Sequence, residues 1–413
     1  MSTLNIKAIL IVASCDTKIN EINFVKDIIV NSNHRCIILD ISTGFNKPCG
    51  YDISRDELIA VCGYQWNEFV NLTKAEKLHI ITEGAIKFVK KLYLDNKFDG
   101  IFGLGGLQNT TVAVACMKQL PIGIPKVVVS TVASGNKTFD PYVGTKDIVL
   151  IPSIGDIAGL NTLTTNILSN ACGAIIGMID YAGQILKKSN KIIVGTTLMG
   201  VTTPGVSYAI NHLKELGIET IGFHSTGTGG RAMEELIESG VIDAAMDLTL
   251  HEITSEYFGG GFSYGAMNRL NYLTKTDIPT IISLGGVDFI DFSLEQLPHD
   301  IDKRKYIKHN DKIAHIKILK SEAIDIGKII AGRLNKSKSE VVLLIPTNGL
   351  RTDTMEGEIL HDKDIDNALI QTVIDNINSH IIVKYIYANF NDKEFGVAAA
   401  NELYNLLKIR KCI

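Results

Sequence analysis

Short runs of apolar, often β-branched residues alternate along the chain with longer stretches in which apolar residues recur every three or four positions. The first pattern is typical of buried parallel strands and the second of amphipathic helices, so we predict parallel sheets covered by helices. In the first half the predicted strands are residues 8–13, 36–41, 100–104, 126–132 and 148–151, and the predicted helices include 21–30, 57–91 and 161–186.

The same alternation begins again after a polar segment at residues 187–191. The predicted strands there are 192–196, 220–224, 244–248, 280–284, 341–345 and 381–387, and the predicted helices are 206–216, 231–239, 321–334, 364–376 and 394–410, with a polar stretch at 298–312. We therefore predict an α/β protein of two doubly wound, Rossmann-like domains with mainly parallel sheets, at residues 1–187 and 191–413. Ligands bind such sheets beyond the carboxyl ends of the strands, so the loops there are the candidate sites.

Composition and net charge argue against some classes of binding partner. The 413 residues carry a formal net charge of −4, which gives no bulk attraction to nucleic acid or to an anionic membrane. The seven cysteines contain no C-x-x-C pair and are odd in number, as expected for free thiols in a reducing compartment. No secretory leader or long uncharged apolar run is evident, so we expect a soluble, cytoplasmic protein.

Two loops of the first half have the composition of phosphate-binding loops. Glycines let backbone N–H groups approach an anion, and the N-terminus of the following helix adds a favourable dipole. The alternatives are a tight turn with close helix packing and simple helix capping. The candidate cofactor-binding residues are Gly103, Gly105, Gly106 and Asn109 after one strand, and Ser130, Thr131, Ser134 and Gly135 after the next.

A longer glycine-rich loop in the second half predicts an anion site. Arg231 falls in the first turn of the helix that follows, where a cation is disfavoured by the helix dipole unless an anion offsets it. A bound phosphate or carboxylate would do so, and the alternative is a solvated arginine. A further loop offers an aspartate that suits a ligand or a helix cap equally. The candidate anion- or substrate-binding residues are Thr226, Gly227, Thr228, Gly229, Gly230 and Arg231, with Gly285, Gly286 and Asp288 in the further loop.

Three scattered residues are candidates for acid–base catalysis. Asp16 and Lys18 follow the first strand, and His224 lies at a strand end beside the long glycine-rich loop. The alternatives are a helix cap with a surface lysine, and a histidine with a structural hydrogen bond. No Cys/His set has zinc spacing and no G-x-S-x-G motif is present, so we predict neither a structural metal site nor an α/β-type serine hydrolase.

Several of these loops resemble a known family. Segments 130–135, 142–148 and 156–161, and above all Phe223-His224-Ser225-Thr226-Gly227-Thr228-Gly229-Gly230-Arg231-Ala232-Met233-Glu234-Glu235-Leu236-Ile237, are similar to the Tm-one-like ATP-binding family, the relatives of the tomato mosaic virus resistance protein. The resemblance covers essentially the whole chain. The sequence departs from the family pattern where Ile19 replaces glycine, Thr165 replaces arginine and Asn389 replaces histidine, and also between residues 346 and 351.

The resemblance implies two Rossmann-like domains and a homodimer, with ATP and Mg²⁺ as ligands and inhibition of a viral replication protein in the plant relative. We expect nucleotide and Mg²⁺ to engage the loops at 103–111 and 130–135, with the metal held mainly by phosphate oxygens and water. For the dimer we expect the small-residue segment 155–183 to meet a partner, and the alternative is a helix buried within its domain. Two functions stay open: an ATP- or nucleotide-binding protein that holds phosphate or carboxylate groups at glycine-rich loops, and a nucleotide-independent enzyme acting on a small carboxylated or phosphorylated metabolite between the domains.

Overall fold

A computed structural model describes residues 6–133, 142–182 and 191–412. The chain divides into two compact units, Met1–Lys187 and Lys188–Ile413. Each unit contains one parallel sheet with helices on both faces, which confirms the predicted fold class.

The N-terminal unit has a five-stranded parallel sheet in the order β2-β1-β3-β4-β5. Strands β2 and β3 lie on opposite sides of β1. The crevice between β1 and β3 is therefore the switch point at which ligands bind in this kind of fold. The elements are β1 (Ala8–Ala13), α1 (Ile19–Asn31), β2 (Arg35–Asp40), α2 (Arg55–Val61), α3 (Trp66–Phe69), α4 (Lys74–Leu94), β3 (Gly100–Gly105), α5 (Leu107–Met117), β4 (Lys126–Ser130), β5 (Val149–Pro152) and α6 (Thr162–Tyr181).

Both faces of the N-terminal sheet are covered because its central strands are apolar at every position. All six residues of β1 are buried, and since side chains alternate along a strand, Leu10 packs toward α4 and α5 whereas Ile9 packs toward α1 and α6. Two helices begin with capping boxes, at Ser54 and Thr73, each with a glutamate three residues later.

Helix α6 is long and apolar enough, by length and composition alone, to span a membrane, and it is the one helix of the described residues that passes that test. Its buried residues, among them Leu168, Cys172 and Ile175, belong to the core against the sheet. Exposed positions such as Asn166, Asn170 and Gly173 lie on its other side. The helix therefore has the pattern of a layer helix in an α/β unit.

The C-terminal unit has a six-stranded parallel sheet in the order β14-β13-β9-β8-β6-β7. Its switch point lies between β6 and β8, because β7 and β8 flank β6 on opposite sides. The elements are β6 (Ile193–Leu198), α7 (Thr203–Glu215), β7 (Glu219–His224), α8 (Gly229–Glu238), β8 (Ala244–Thr249), α9 (His251–Phe258), α10 (Tyr272–Lys275), β9 (Thr280–Gly285), β10 (Phe289–Ser293), β11 (Tyr306–Lys308), β12 (Ile313–Lys317), α11 (Lys320–Leu334), β13 (Val341–Pro346), α12 (Lys363–Asn376), β14 (Ile382–Ile386) and α13 (Lys393–Ile409).

Strands β10, β11 and β12 form a separate antiparallel sheet in the order β10-β12-β11, which the sequence did not predict. The sheet was not predicted because the segment that contains its short edge strand and the adjoining turns, residues 298–312, is polar. Phe289 and Ile290 are fully buried, so this sheet packs on the unit's core rather than projecting into solvent. It also supplies one wall of the candidate site.

Candidate active site

A cavity of about 410 Å³ opens at the carboxyl ends of β6 and β7 in the C-terminal sheet. Loops that follow β6 and β7 form one wall, and the antiparallel sheet forms another. A volume of this size suits a small molecule. The lining residues are Met199, Gly200, Val201, His224, Thr226, Phe262, Asp291, His309, Ile313 and His315.

Asp291 of β10 is a buried carboxylate on the cavity wall. Its Oδ2 accepts a hydrogen bond from Ser263 Oγ at 2.8 Å, and its Oδ1 lies 3.2 Å from His251 Nε2. Burial by itself would raise the pKa of Asp291, but the contacts with His251 and Ser263 hold it below the usual range. Asp291 is therefore an oriented carboxylate that stays ionised at neutral pH.

His315 of β12 is the cross-strand partner of Asp291, so the two side chains lie on the same face of the antiparallel sheet. It is only 4% exposed, and its Nδ1 is buried without a hydrogen-bond partner among the described residues. Burial, together with the positive charge of Arg351, lowers the pKa of His315 to about 3. At neutral pH the cavity wall therefore includes an uncharged imidazole.

His251 at the start of α9, next to Asp291, is fixed by a contact of Nδ1 and by ring stacking. Its Nδ1 lies 2.7 Å from the carbonyl oxygen of Gly286, and its ring stacks on Phe289 with centroids 4.2 Å apart. Arg351 lies over the same phenylalanine ring, 4.0 Å from its centroid. Phe289 thus packs against both the His251 ring and the buried Arg351 guanidinium, and His251 Nε2 lies against Asp291.

Asp288 is a structural carboxylate rather than a ligand or a helix cap. It is fully buried, it precedes a strand, and its Oδ2 accepts from Lys317 Nζ at 3.1 Å and from Arg351 Nε at 3.2 Å. These two cations hold the pKa of Asp288 well below its usual range despite its burial. Lys317 also donates to Asp366 of α12, so the cluster joins β10, β12 and α12.

Gly285 and Gly286 serve close packing around the site. A side chain at Gly285 would meet the Phe390 ring at 2.6 Å, and Gly286 has a positive φ of 69° that favours glycine. Its carbonyl orients His251, as described above. We assign both glycines a positioning role, and the predicted contact with an anion has no support from their surroundings.

His224 and Thr226, by contrast, do line the cavity. His224 Nδ1 lies 3.1 Å from Thr226 Oγ1, and both residues are exposed. The structure therefore brings one predicted catalytic residue and one predicted anion-binding residue to the same wall. Whether either contacts a substrate stays a prediction.

The anion at the glycine-rich loop is supplied by the protein itself. The N–H groups of Gly227 and Gly230 both donate to Glu252 Oε1, at 2.9 and 3.3 Å. A Cβ at Gly230 would come within 2.0 Å of Glu252 Oε2 and of Arg269 Nε, so this glycine allows the carboxylate to approach. These two donors, which the sequence assigned to a bound phosphate or carboxylate, are thus occupied by Glu252.

Arg269 is the centre of the same buried cluster. Its Nε donates to Glu252 Oε2 at 2.6 Å, its NH2 contacts both oxygens of Asp247 at 2.9 and 3.0 Å, and its NH1 donates to Glu234. Burial raises the pKa of Glu234 although Arg269 opposes the shift. One guanidinium therefore anchors three carboxylates from β8, α8 and α9.

The remaining residues of this loop position the start of α8. Thr228 precedes the helix without a side-chain cap, and a Cβ at Gly229 would lie 1.9 Å from the carbonyl oxygen of His224. Arg231 is in the first turn, as predicted, and its NH1 donates to the carbonyl oxygen of Gly265 at 3.1 Å.

In the N-terminal unit the predicted residues do meet at the switch point. Ser14, directly after β1, donates to Asn109 Oδ1 at 2.6 Å, which links the ends of β1 and β3. Thr110 and Ser130 share a hydrogen bond of 2.7 Å, and Thr131 N donates to the carbonyl oxygen of Gly105 at 3.2 Å. The predicted residues Ser134 and Gly135 lie outside the described ranges.

The three glycines here differ in what they do. Gly103 lies inside β3, where a Cβ would be 2.6 Å from Ala113 Cβ, so it allows α5 to pack on the strand. Gly105 has a φ of 136° and lies against Asn109. Gly106 caps α5 without a side-chain hydrogen bond, and a Cβ there would find only Thr131 Oγ1, at 3.7 Å.

Asp16 and Lys18 lie near this crevice but point to protein partners. Asp16 N donates to Ser42 Oγ at 3.1 Å, and the Asp16 carboxylate lies against Gly44. Lys18 Nζ donates to the carbonyl oxygen of Ile157. Their catalytic roles stay predictions.

Comparison with known proteins supports the resemblance over both units. Residues 7–184 match the N-terminal domain, and residues 191–407 the C-terminal domain, of the family described as "Uncharacterised protein family (UPF0261)". The chain belongs to the UPF0261 family. A UPF0261 protein of Clostridium tetani is 37% identical over 405 residues, which cover 97% of this chain and 99% of that protein.

The tomato (Solanum lycopersicum) ToMV resistance protein Tm-1(GCR237) is 29% identical over 419 residues, covering 96% of this chain and 55% of that protein. This UPF0261 chain thus spans about half the length of the tomato protein. Among solved structures, a UDP-GlcNAc 2-epimerase of Methanocaldococcus jannaschii covers 98% of this chain and 100% of its own, at 10% identity and a TM-score of 0.21. A score this low carries no functional argument.

Sequence reasoning missed most of the polar wall of the UPF0261 cavity. Asp291 and His315 belong to strands that were not predicted, and neither they nor His251 and Glu252 are among the site residues chosen from the sequence. Alternation was the available signal: Phe289 and Asp291 on one strand, and His315 and Lys317 on the other, follow a period of two. Within the described residues, no group of three or more His, Cys, Asp or Glu side chains is arranged to hold a metal ion.

Proposed function

We propose that the C-terminal unit is an enzyme that acts on a small molecule by acid–base chemistry in the cavity lined by Asp291 and His315. One observation carries this proposal: Asp291 and His315 face the same cavity from paired positions on adjacent strands. One is an ionised carboxylate and the other a neutral imidazole whose Nδ1 has no partner in the described structure. Acid–base catalysis commonly uses an ionised group as the base together with a neutral group that forms hydrogen bonds to the substrate.

Each group is held in the state that its role requires. His251 and Ser263 orient the Asp291 carboxylate and keep it ionised, which makes it a base at neutral pH. His315 stays neutral well below pH 7, so it is able to donate a hydrogen bond from one ring nitrogen and accept one at the other.

The test uses purified protein incubated with a mixture of small metabolites, with depletion followed by mass spectrometry. We expect the wild type to consume at least one component and Asp291→Asn and His315→Phe to do so about a hundred-fold more slowly. His380→Gln, a change at an exposed histidine before β14, is the matched control and should match the wild type. Undiminished turnover by both cavity variants, or no depletion by the wild type, would contradict the proposal.

A second candidate function is nucleotide binding by the N-terminal unit, with Mg²⁺ held by the phosphates. It is supported by the uncapped start of α5 at Gly106, beside the Thr131 hydroxyl and at the β1/β3 switch point. Gly106→Ala fits the backbone but adds a methyl group where a phosphate would lie. We expect calorimetry with Mg²⁺ and ATP to show binding that Gly106→Ala weakens about ten-fold and that Gly173→Ala, on an open face of α6, leaves intact.

A further inference from the structure

We propose that the substrate is an uncharged carbonyl compound and that the reaction is enolisation, in which Asp291 removes a proton from the carbon next to the carbonyl while His315 holds the carbonyl oxygen. This inference rests on the proposed function and deepens it. It follows from the charge of the cavity wall, from the placement of the two polar groups and from the chemistry that such a pair performs.

The residues that line the cavity indicate the charge of the substrate. The lining contains no lysine or arginine among the described residues, and Arg351 lies over the Phe289 ring rather than in the lining. An anionic phosphate or carboxylate would therefore meet the ionised Asp291 with no lysine or arginine on the wall to bind it. Met199, Val201 and Ile313 provide apolar surface that suits a carbon chain. An uncharged substrate thus fits this lining better than a carboxylated or phosphorylated one.

The placement of the polar groups determines the reaction. Side chains directly opposite each other on antiparallel strands have Cβ atoms about 4.5–5.5 Å apart. Asp291 and His315 therefore contact two neighbouring atoms of one bound molecule, such as a carbonyl oxygen and the carbon beside it. A neutral imidazole is the appropriate donor for an oxygen that gains negative charge, because an imidazolium at this place would be neutralised by Asp291.

The step balances without any co-reactant. The Asp291 carboxylate takes the proton, the electron pair of the broken C–H bond forms a carbon–carbon double bond, and the carbonyl π electrons move to the oxygen. A ring N–H group of His315 stabilises that oxygen by a hydrogen bond. Return of the proton from Asp291 to the same carbon restores the substrate. In an α-hydroxy compound, return of the proton to the former carbonyl carbon, with transfer of the hydroxyl proton to the enolate oxygen, gives the isomer.

Proton exchange with solvent tests this step directly. Probes are dihydroxyacetone, glyceraldehyde and free aldoses and ketoses of four to six carbons, each paired with its phosphorylated counterpart, in D₂O. Proton NMR follows loss of the C–H signal next to the carbonyl. We expect exchange in at least one uncharged probe, about a hundred-fold slower with Asp291→Asn. His315→Gln, which keeps an N–H donor, should retain more activity than His315→Phe, and the loss should be in kcat rather than KM.

The outcomes separate this inference from the proposed function. Exchange only in phosphorylated probes, or in none of the probes, overturns the enolisation proposal. If the metabolite assay still shows turnover that depends on Asp291, the acid–base enzyme stands and only its reaction class is wrong. If Asp291→Asn leaves metabolite turnover unchanged, both proposals fail together.

Discussion

Replacing Glu252 by glutamine tests the conclusion that the protein fills its own anion-binding loop. Glu252 Oε1 accepts from Gly227 N and Gly230 N, and Oε2 accepts from Arg269 Nε at 2.6 Å. An amide has the same shape but only one acceptor oxygen. Whichever way it is placed, its NH₂ group faces another N–H donor, so at least one of the partners of Glu252 is left unsatisfied.

The expected loss in the free energy of unfolding follows from the contacts that Glu252 makes. A charge-assisted hydrogen bond contributes about 1.5–3 kcal/mol, and a buried donor without a partner costs about 1–3 kcal/mol. Arg269 contacts three carboxylates, so removing one negative charge relieves some repulsion and offsets part of that loss. We expect the free energy of unfolding of the C-terminal unit to fall by about 2–4 kcal/mol, or roughly 5–15 °C in Tm for a unit of this size.

The sequence offers an internal reference for the assay. Its single tryptophan, Trp66, lies in α3 of the N-terminal unit, so tryptophan fluorescence reports that unit while far-UV circular dichroism reports both. In urea, Glu252→Gln should lower the dichroism midpoint and leave the tryptophan transition in place. Glu295→Gln, at an exposed glutamate, is the matched control and should change stability by less than about 0.5 kcal/mol. A Glu252→Gln midpoint equal to that of the control would refute the reasoning.

Three further predictions concern other parts of the chain. Arg231→Ala should lower stability in urea by about 0.5–1.5 kcal/mol, because it removes the hydrogen bond to the Gly265 carbonyl; unchanged or increased stability would instead favour the anion-binding arginine predicted from the sequence. Burial raises the pKa of Asp366 to about 6 against the attraction of Lys317, so the folded state binds more protons than the unfolded state between about pH 4 and pH 6. The stability advantage of the wild type over Asp366→Asn should therefore shrink by up to about 3 kcal/mol as the pH rises from 4 to 7 in urea titrations, and a constant difference would show that Asp366 titrates normally. Sedimentation at micromolar concentration should show a homodimer, twice the 45.1 kDa chain, and a monomer would contradict the dimer predicted from residues 155–183.

The parallel sheets were readable from the sequence because their strands are buried on both faces. A strand such as β1, which is apolar at all six positions, can be predicted from its own residues without information about its neighbours. All eleven strands of the two parallel sheets lie within a few residues of their predicted positions. The long loop motif around Arg231 likewise identified the family from local order alone.

What the sequence did not determine depends on residues far apart in the chain. Glu252 enters the loop at Gly227 from 25 positions away, and Asp288 is held by Arg351 from 63 positions away. The glycine-rich loop has the composition of an anion site, and it does hold an anion, but only the tertiary structure shows that the anion is a side chain of the same protein. The cavity residues Asp291 and His315 were hidden for a related reason. Short antiparallel strands owe their stability to cross-strand pairing and to the surface they cover, and neither appears in the order of residues along one strand.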